Sequence, residues 1–435
     1  MTSVPGIQSR RAALSILGQV RDGRPFEAAL DRGVAELAEP DRRLAHELAA
    51  GVLRQRSVLD RQLAPLVPRG WNSVAVELQD ILRLGAYQLT VLERVPPHAA
   101  VDTSVSLAKD TGGTRAAGFV NAVLRRLTRS GPSGDALTEP NAATLAGEYS
   151  HPGWLVQRWL EQFGREGTEA LLRWNNTRPR LVLQPARADL ETLSARWEAD
   201  GIEVEPAPYD AGVIADVSRP AELSGYAEGD FLVQNAAQAL IARFCDAPLG
   251  ATVYDACAAP GGKTIALGRQ AGAVIAGDVS LARARRLVQN VERAGSGREH
   301  AVVADARHPP VRPVDLALLD APCLGTGTFA RHPDARWRIT PEALTTLERL
   351  QADLLDRTAA AVAPGGLLVY STCSLEREEN QAQVDRFLAR HPEFQREPSD
   401  TVPPLLLSPQ GDLMVLPQDH GTDGAYAARL RRSGV

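Results

Sequence analysis

From residue 250 onward the sequence repeats one unit: a short apolar run, a turn of small residues, then an amphipathic stretch of helical length. The apolar runs fall at 251–256, 273–278, 301–305, 314–320 and 366–372. Runs of strand length alternating with helical stretches predict a doubly wound parallel sheet with helices on both faces. Such a sheet takes its ligands beyond the carboxyl ends of its strands, so the residues that follow each run carry the chemical information.

Upstream the period changes to that of helices. Ala13, Ile16, Leu17 and Val20 share one helical face, as do Leu78, Ile81, Leu82, Gly85 and Leu89, and again Ala116, Phe119, Val120, Val123, Leu124 and Leu127. Turn signals separate them at Pro68 to Asn72, at Pro96-Pro97 and at Thr111-Gly112-Gly113. The reading is an all-α bundle over 1–135. The small-residue stretch SGPSGDALTEPNAA supplies a linker at 136–144. Residues 145–235 mix helical stretches (155–174, 190–199) with extended ones (180–184, 201–204), a small α+β subdomain, and 236–435 form the α/β domain. A chain of 435 residues has room for these parts, since about two to four domains are expected at that length.

No run approaches the roughly 18 apolar residues of a membrane span, and the opening MTSVPGIQSRRAALSIL lacks the apolar core of a signal peptide. The expectation is a cytoplasmic, monomeric chain with no membrane partner. Its four cysteines (Cys245, Cys257, Cys323, Cys373) show no CxxC or Cys/His ligand spacing, so reduced thiols and no metal are expected. The formal charge is −5, yet residues 1–135 carry 18 basic and 14 acidic side chains, a surplus of +4. Any phosphate-facing surface is therefore sought in the N-terminal third. Lys109 and Lys263 are the only lysines among 48 basic residues.

The first α/β strand runs into CAAPGGKTIALGRQ. Its small residues let backbone approach a ligand, and the next two strands end in Asp278 and Asp305, placed for ribose hydroxyls and an adenine amino group or simply for solvent. GKT is also the tail of a P-loop, but Cys257 stands where that motif needs its first glycine, and Pro260 removes an N–H donor. The fourth and fifth strands lead to Asp320 with Cys323, and to Cys373. A lone cysteine is usually a small buried hydrophobe; two at one rim beside a carboxylate suit a different chemistry. Cytosine C5 becomes nucleophilic only after a thiolate adds to C6, helped by a partner at N3, and the C5 proton must leave before the thiolate is expelled.

The strings DACAAPGGKT, DAPCLGTGTFARHPD and STCSLEREEN resemble motifs I, IV and VI of the Sun/Fmu (RsmB) family of RNA 5-methylcytosine methyltransferases. RRAALSIL, LRLGAYQL, VPPHAAVDTSVSLAK and GFVNAVLRRL are similar to the NusB-like domain that this family carries. The resemblance implies a NusB-like RNA-binding bundle, the small α+β connector and a class I (Rossmann-like) methyltransferase domain that uses S-adenosylmethionine. The implied substrate is 16S ribosomal RNA, naked or in a partly assembled small subunit, at a cytosine of the position-967 type. It further implies that Cys373 is the nucleophile, Cys323 the residue of product release and Asp320 the N3 partner. The cofactor contacts it implies are Cys257, Ala258, Ala259, Pro260, Gly261, Gly262, Lys263, Asp278, Asp305 and Asp320. Pro322-Cys323 alone would also fit the DNA-methyltransferase scheme, in which that cysteine attacks; the resemblance decides for Cys373. Leu324 stands where many members have Ser, and Ala330 where an Arg is common. Arg331 and His332 either hold phosphate or are solvated loop charges, and Arg125, Arg126 and Arg129 form either an RNA patch or a solvated helix side. Two other classes stay open: an antitermination-like RNA-binding protein with an inactive methyltransferase domain, and a P-loop ATPase.

Overall fold

Alanine and leucine stripes at helical spacing build the first of two units, in a computed structural model that describes residues 6–130, 141–217 and 219–434. That unit spans Met1–Thr177 together with Phe329–Arg338. The predicted faces meet in one core, where Ala13, Ile16, Leu48, Leu82 and Leu124 are fully buried. The helix Pro97–Ser130 is broken at Gly112 and Gly113, the latter at φ 69°, where the turn was expected. Residues 136–140 of the expected linker lie outside the described residues; Asn141 already caps Ala142–Tyr149, its side chain accepting from the Thr144 N–H at 3.0 Å. Ala142–Tyr149 and Gly153–Asn175, which the sequence reading assigned to linker and connector, group with the bundle.

Phe329–Arg338, in chain order part of the segment after Cys323, is also built into this unit. Phe329 is fully buried beside Trp159, ring centroids 6.2 Å apart. The Phe26 N–H donates to Asp334 (3.1 Å), Arg54 to the Ala330 carbonyl (3.2 Å) and the Trp337 indole to the Leu53 carbonyl (2.8 Å). Arg336 is fully buried, its guanidinium donating to the Asn176 side chain (2.8 Å) and the Asn175 carbonyl (2.7 Å). Burial, and then the like charge of Arg54, lowers its pKa to about 9.

The second unit spans Arg178–Thr328 and Ile339–Val435. Its smaller sheet comprises β1 (Leu181–Pro185), β2 (Val204–Pro206), β3 (Val213–Ala215) and β4 (Phe231–Val233), antiparallel in the order β2-β3-β1-β4. The helix Leu190–Ala199 covers it through Leu193 and Trp197, the Trp197 ring meeting Phe231 edge-on at 5.1 Å. This is the predicted α+β subdomain.

The larger sheet holds β5 (Thr252–Asp255), β6 (Ala273–Asp278), β7 (Glu299–Val303), β8 (Val314–Asp320), β9 (Val362–Thr372), β10 (Phe394–Arg396), β11 (Leu413–Val415) and β12 (Ala425–Arg432). The order is β10-β12-β9-β8-β5-β6-β7, with β11 also on β12. The fully parallel sheet of the sequence reading holds only from β7 to β9; β10, β11 and β12 add an antiparallel edge. Strands such as β8 are apolar almost throughout because both faces are covered. A second correction concerns Asp305: β7 stops at Val303, so Asp305 lies in the turn beyond it. Among the described residues no helix is long and apolar enough to cross a membrane.

Candidate active site

β5 and β8 are sheet neighbours whose next strands lie on opposite sides, β6 beyond β5 and β9 beyond β8. This reversal opens a crevice at the strand ends. The Asp255–Cys257 segment leaves β5 there, and Asp320 ends β8.

Two cavities meet in the crevice. One, of about 420 Å³, is lined by Asp278, Asp305, Cys323 and Cys373 together with Leu350 and Leu354. The other, of about 390 Å³, is lined by Gln234, Asn235, Gln238, Asp255, Ala258, Pro260, Gly262 and Lys263. Cys257, Ala259 and Asp320 border both. Gly261 turns the chain between loop and helix at φ 109°, a conformation open to glycine.

Asp320 is held by two donors: Ser371 Oγ at 2.8 Å and Lys263 Nζ at 2.7 Å. Lys263 also donates to Gln238. Burial works against its ammonium, but Asp320, and Asp255 behind it, override that cost and raise its pKa. Asp255 is buried, accepts from Thr264 Oγ1 at 2.7 Å, and among the described residues has no partner at Oδ1. Burial pushes its pKa up to about 7, with Asp320 adding to the rise.

Asp278 accepts the Ser280 N–H (2.8 Å) and Arg283 Nε (3.1 Å), both at Oδ1; among the described residues Oδ2 has no hydrogen-bond partner. Ser280 in turn caps the helix Leu281–Ala294. Asp305 is clasped by Arg307 through its backbone N–H (2.9 Å) and guanidinium (2.6 Å), which lowers its pKa to about 2.

The two sulfur atoms of Cys323 and Cys373 lie 3.5 Å apart, too far for a disulfide and close enough to share a proton. Cys373, first through its hydrogen bond, and then burial push the Cys323 thiol well up. Cys245 and Cys257 are likewise held as thiols, burial pushing each up to about 12. The loop carrying Cys323 is tied to the segment after Cys373. The Gly327 N–H donates to the Cys373 carbonyl at 3.0 Å, and a Cβ on Gly327 would stand 2.7 Å from that same oxygen. The buried Glu379 carboxylate accepts from the Leu324 N–H (3.1 Å) and from Gln351 (2.8 Å), which also donates to the Pro322 carbonyl (2.9 Å). Burial raises Glu379 to about 6. Leu324, the first departure from the family pattern, is thus held through its backbone.

The crevice therefore gathers Cys257 to Lys263, Asp278, Asp305, Asp320, Cys323 and Cys373. Arg331 and His332 belong to the other unit, where His332 lies 3.6 Å from Glu27. Arg125, Arg126 and Arg129 are exposed on the helix Pro97–Ser130 of that unit, Arg125 bonded to Asn121 at 2.7 Å. Ala330, the second departure, is buried there. The sequence reading missed Asp255, Gln238, Ser371, Gln351 and Glu379. Of these, Asp255, Ser371 and Glu379 lie inside the quoted motif strings; Gln238 and Gln351 had no local signal.

Three family models match the chain: the NusB family over residues 7–129, the RsmF/B-like methyltransferase ferredoxin-like domain over 151–220, and 16S rRNA methyltransferase RsmB/F over 246–431. A probable ribosomal RNA small subunit methyltransferase B of Synechocystis sp. is 34% identical over 450 residues, covering 98% of this chain and 100% of its own. Its counterpart in Bacillus subtilis is 33% identical, covering 98% and 99%. The crystal structure of PH0851 superposes with a TM-score of 0.83 at 25% identity, covering 99% of each chain.

Proposed function

This chain belongs to the family of ribosomal RNA small subunit methyltransferases B, and from that premise we propose that it methylates C5 of a cytosine in 16S rRNA, of the position-967 type, through a covalent adduct with Cys373. The observation that carries the proposal is the pair of sulfur atoms 3.5 Å apart at the rim of a cavity bordered by Asp320.

The larger cavity fits S-adenosylmethionine. Its wall offers the open Oδ2 of Asp278 for ribose hydroxyls, the ionised Asp305, Asp320 for the positive end of the ligand, and the apolar Leu350 and Leu354 for a ring face. When bound, the cofactor supplies an electrophilic methyl group. Lys263 Nζ donates to Asp320 at 2.7 Å at the boundary of the two cavities.

The difference between the cysteines supports the division of roles. Cys323 keeps its proton, its thiol pushed well up, and lies 3.5 Å from Cys373 Sγ, to which it can donate. Cys373 Sγ, its proton given up to solvent, bonds to cytosine C6, and the electron density displaced toward C5 and N3 is met at N3 by a proton relayed through Asp320 from the Lys263 ammonium that donates to it. As a thioether, Cys373 no longer pushes the Cys323 thiol up. Cys323 can then pass its proton to solvent and take the C5 proton, the C6–S bond breaks with its electron pair returning to Cys373, and N3 gives back its proton as the aromatic ring is restored.

Incubating a transcribed 16S rRNA with the protein and S-adenosylmethionine, followed by bisulfite sequencing, tests the proposal. One protected cytosine is expected. Methylation without bisulfite protection would move the reaction to another atom and end the C5 reading.

A further inference from the structure

Within the unit formed by Met1–Thr177 and Phe329–Arg338 lies a recess of about 260 Å³, apart from the crevice of the other unit. Four guanidinium groups line it, those of Arg21, Arg56, Arg83 and Arg338. Three have carboxylate partners. Arg83 holds Asp60 by two bonds (2.7 and 2.9 Å) and Asp80 (2.9 Å), Arg21 shares Asp80, and Arg338 pairs with Asp334 (2.9 Å). Arg56 has no ion pair and no hydrogen bond among the described residues. Arg56 keeps contact with solvent, while its guanidinium, partly sunk in the recess, sits over the Trp337 ring, 5.5 Å from the centroid. The ring itself is fixed by its N–H bond to Leu53.

We propose that this recess binds a phosphodiester of the substrate RNA, with Arg56 as the cation that receives it and Trp337 as the flat wall beside it. The assignment rests on the rRNA-methyltransferase reading and names a place where the RNA is gripped.

A guanidinium held over a ring and without a hydrogen bond of its own among the described residues has its N–H donors to spare for an anion such as phosphate. Burial and the like charges of Arg83 and Arg21 disfavour the Arg56 cation, with Asp60 and Asp80 offsetting part of that; an incoming anion relieves the remainder. The recess has room for a sugar beside the phosphate. Two of its walls, Trp337 and Arg338, come from the segment that follows the Cys323 loop in the chain. RNA held here would therefore grip the bundle helices and the end of that segment together.

The test measures binding of a transcribed 16S rRNA fragment by the full chain across a salt series, for the wild type, Arg56→Gln and Arg56→Lys, with thermal melts of each. Arg56→Gln is expected to weaken binding about tenfold at low salt and to reduce the slope of log K against log salt by about 0.7 to 0.9. Its melting temperature should hold, and Arg56→Lys should recover the slope. Unchanged affinity and slope in Arg56→Gln, with the wild type binding, would overturn the site alone. Failure of the wild type to bind the RNA would overturn the site and the reading beneath it. If millimolar inorganic phosphate raises the wild-type melting temperature but not that of Arg56→Gln, while RNA affinity is equal in both, the recess takes free anions and the RNA assignment falls.

Discussion

Asp320 is the charged residue common to both cavities, and its neighbours decide what each can do. Asp278 serves one of them. Asp278→Ala should weaken S-adenosylmethionine binding by roughly 1.5 to 3 kcal/mol, the worth of hydrogen bonds to a charged group, and calorimetry giving an unchanged Kd would remove it from the cofactor wall. Asp255 faces the other cavity, and its titration makes a pH prediction. Its folded pKa of about 7 lies above an unfolded value of about 3.9, so its contribution is fully present below pH 4. As pH rises the unfolded chain ionises first, stability falls by up to about 1.4 kcal/mol per pH unit, and the loss is complete above pH 7. Glu379, raised to about 6, acts with the same sign over a narrower window. Denaturant melts from pH 4 to 8 should show Asp255→Asn losing the steeper part of that slope; identical slopes in variant and wild type would mean that Asp255 is ionised throughout. Neither carboxylate could be assigned from sequence, because Asp255 looks like any strand end and Glu379 like any charge in LEREEN. Asp278, Asp320 and the two cysteines were legible because strand ends and ordered motifs point to them directly.

Among the elements, the parallel strands β5, β6, β8 and β9 were readable as continuous apolar runs with turns behind them, a pattern that burial on both faces imposes. The antiparallel edge was not, since β10 and β11 are three residues each and β12 carries Arg429, Arg431 and Arg432. Arg429 is buried and donates to the Phe244 and Cys245 carbonyls and to Glu397, contacts that no local pattern reports. The misplacement of Asp305 has a similar origin: the apolar run ends before the turn that Arg307 closes around it. The two cysteine loops make an element-scale prediction through Gly327. A methyl group there would stand 2.7 Å from both the Cys373 carbonyl oxygen and the Gly424 Cα, backbone atoms with no room to yield. Gly327→Ala should cost about 1 to 3 kcal/mol and lower methylation by moving the loop. A thermal melt matching the wild type with full activity would show that the loops are not packed against one another.

At the scale of the whole molecule, the segment after Cys323 is claimed by the helical unit, which a reading in chain order could not see. Phe26, Leu53 and Arg54 supply partners to Asp334, Trp337 and Ala330, so deletion of residues 1–135 removes those partners along with any RNA-binding face. The shortened chain should be cleaved by trypsin within 329–338, at Arg331, Arg336 or Arg338, where the full chain resists. The same digestion pattern in both would make the bundle a detachable appendage. The central claim is that Cys373 attacks and Cys323 releases, and denaturing gel electrophoresis of protein, labelled 16S rRNA and S-adenosylmethionine tests it most directly. Cys373→Ala should give neither methylation nor a covalent band, while Cys323→Ala should accumulate a denaturant-resistant protein–RNA adduct. An adduct in Cys373→Ala and none in Cys323→Ala would exchange the roles, and undiminished methylation by both variants would contradict the covalent mechanism.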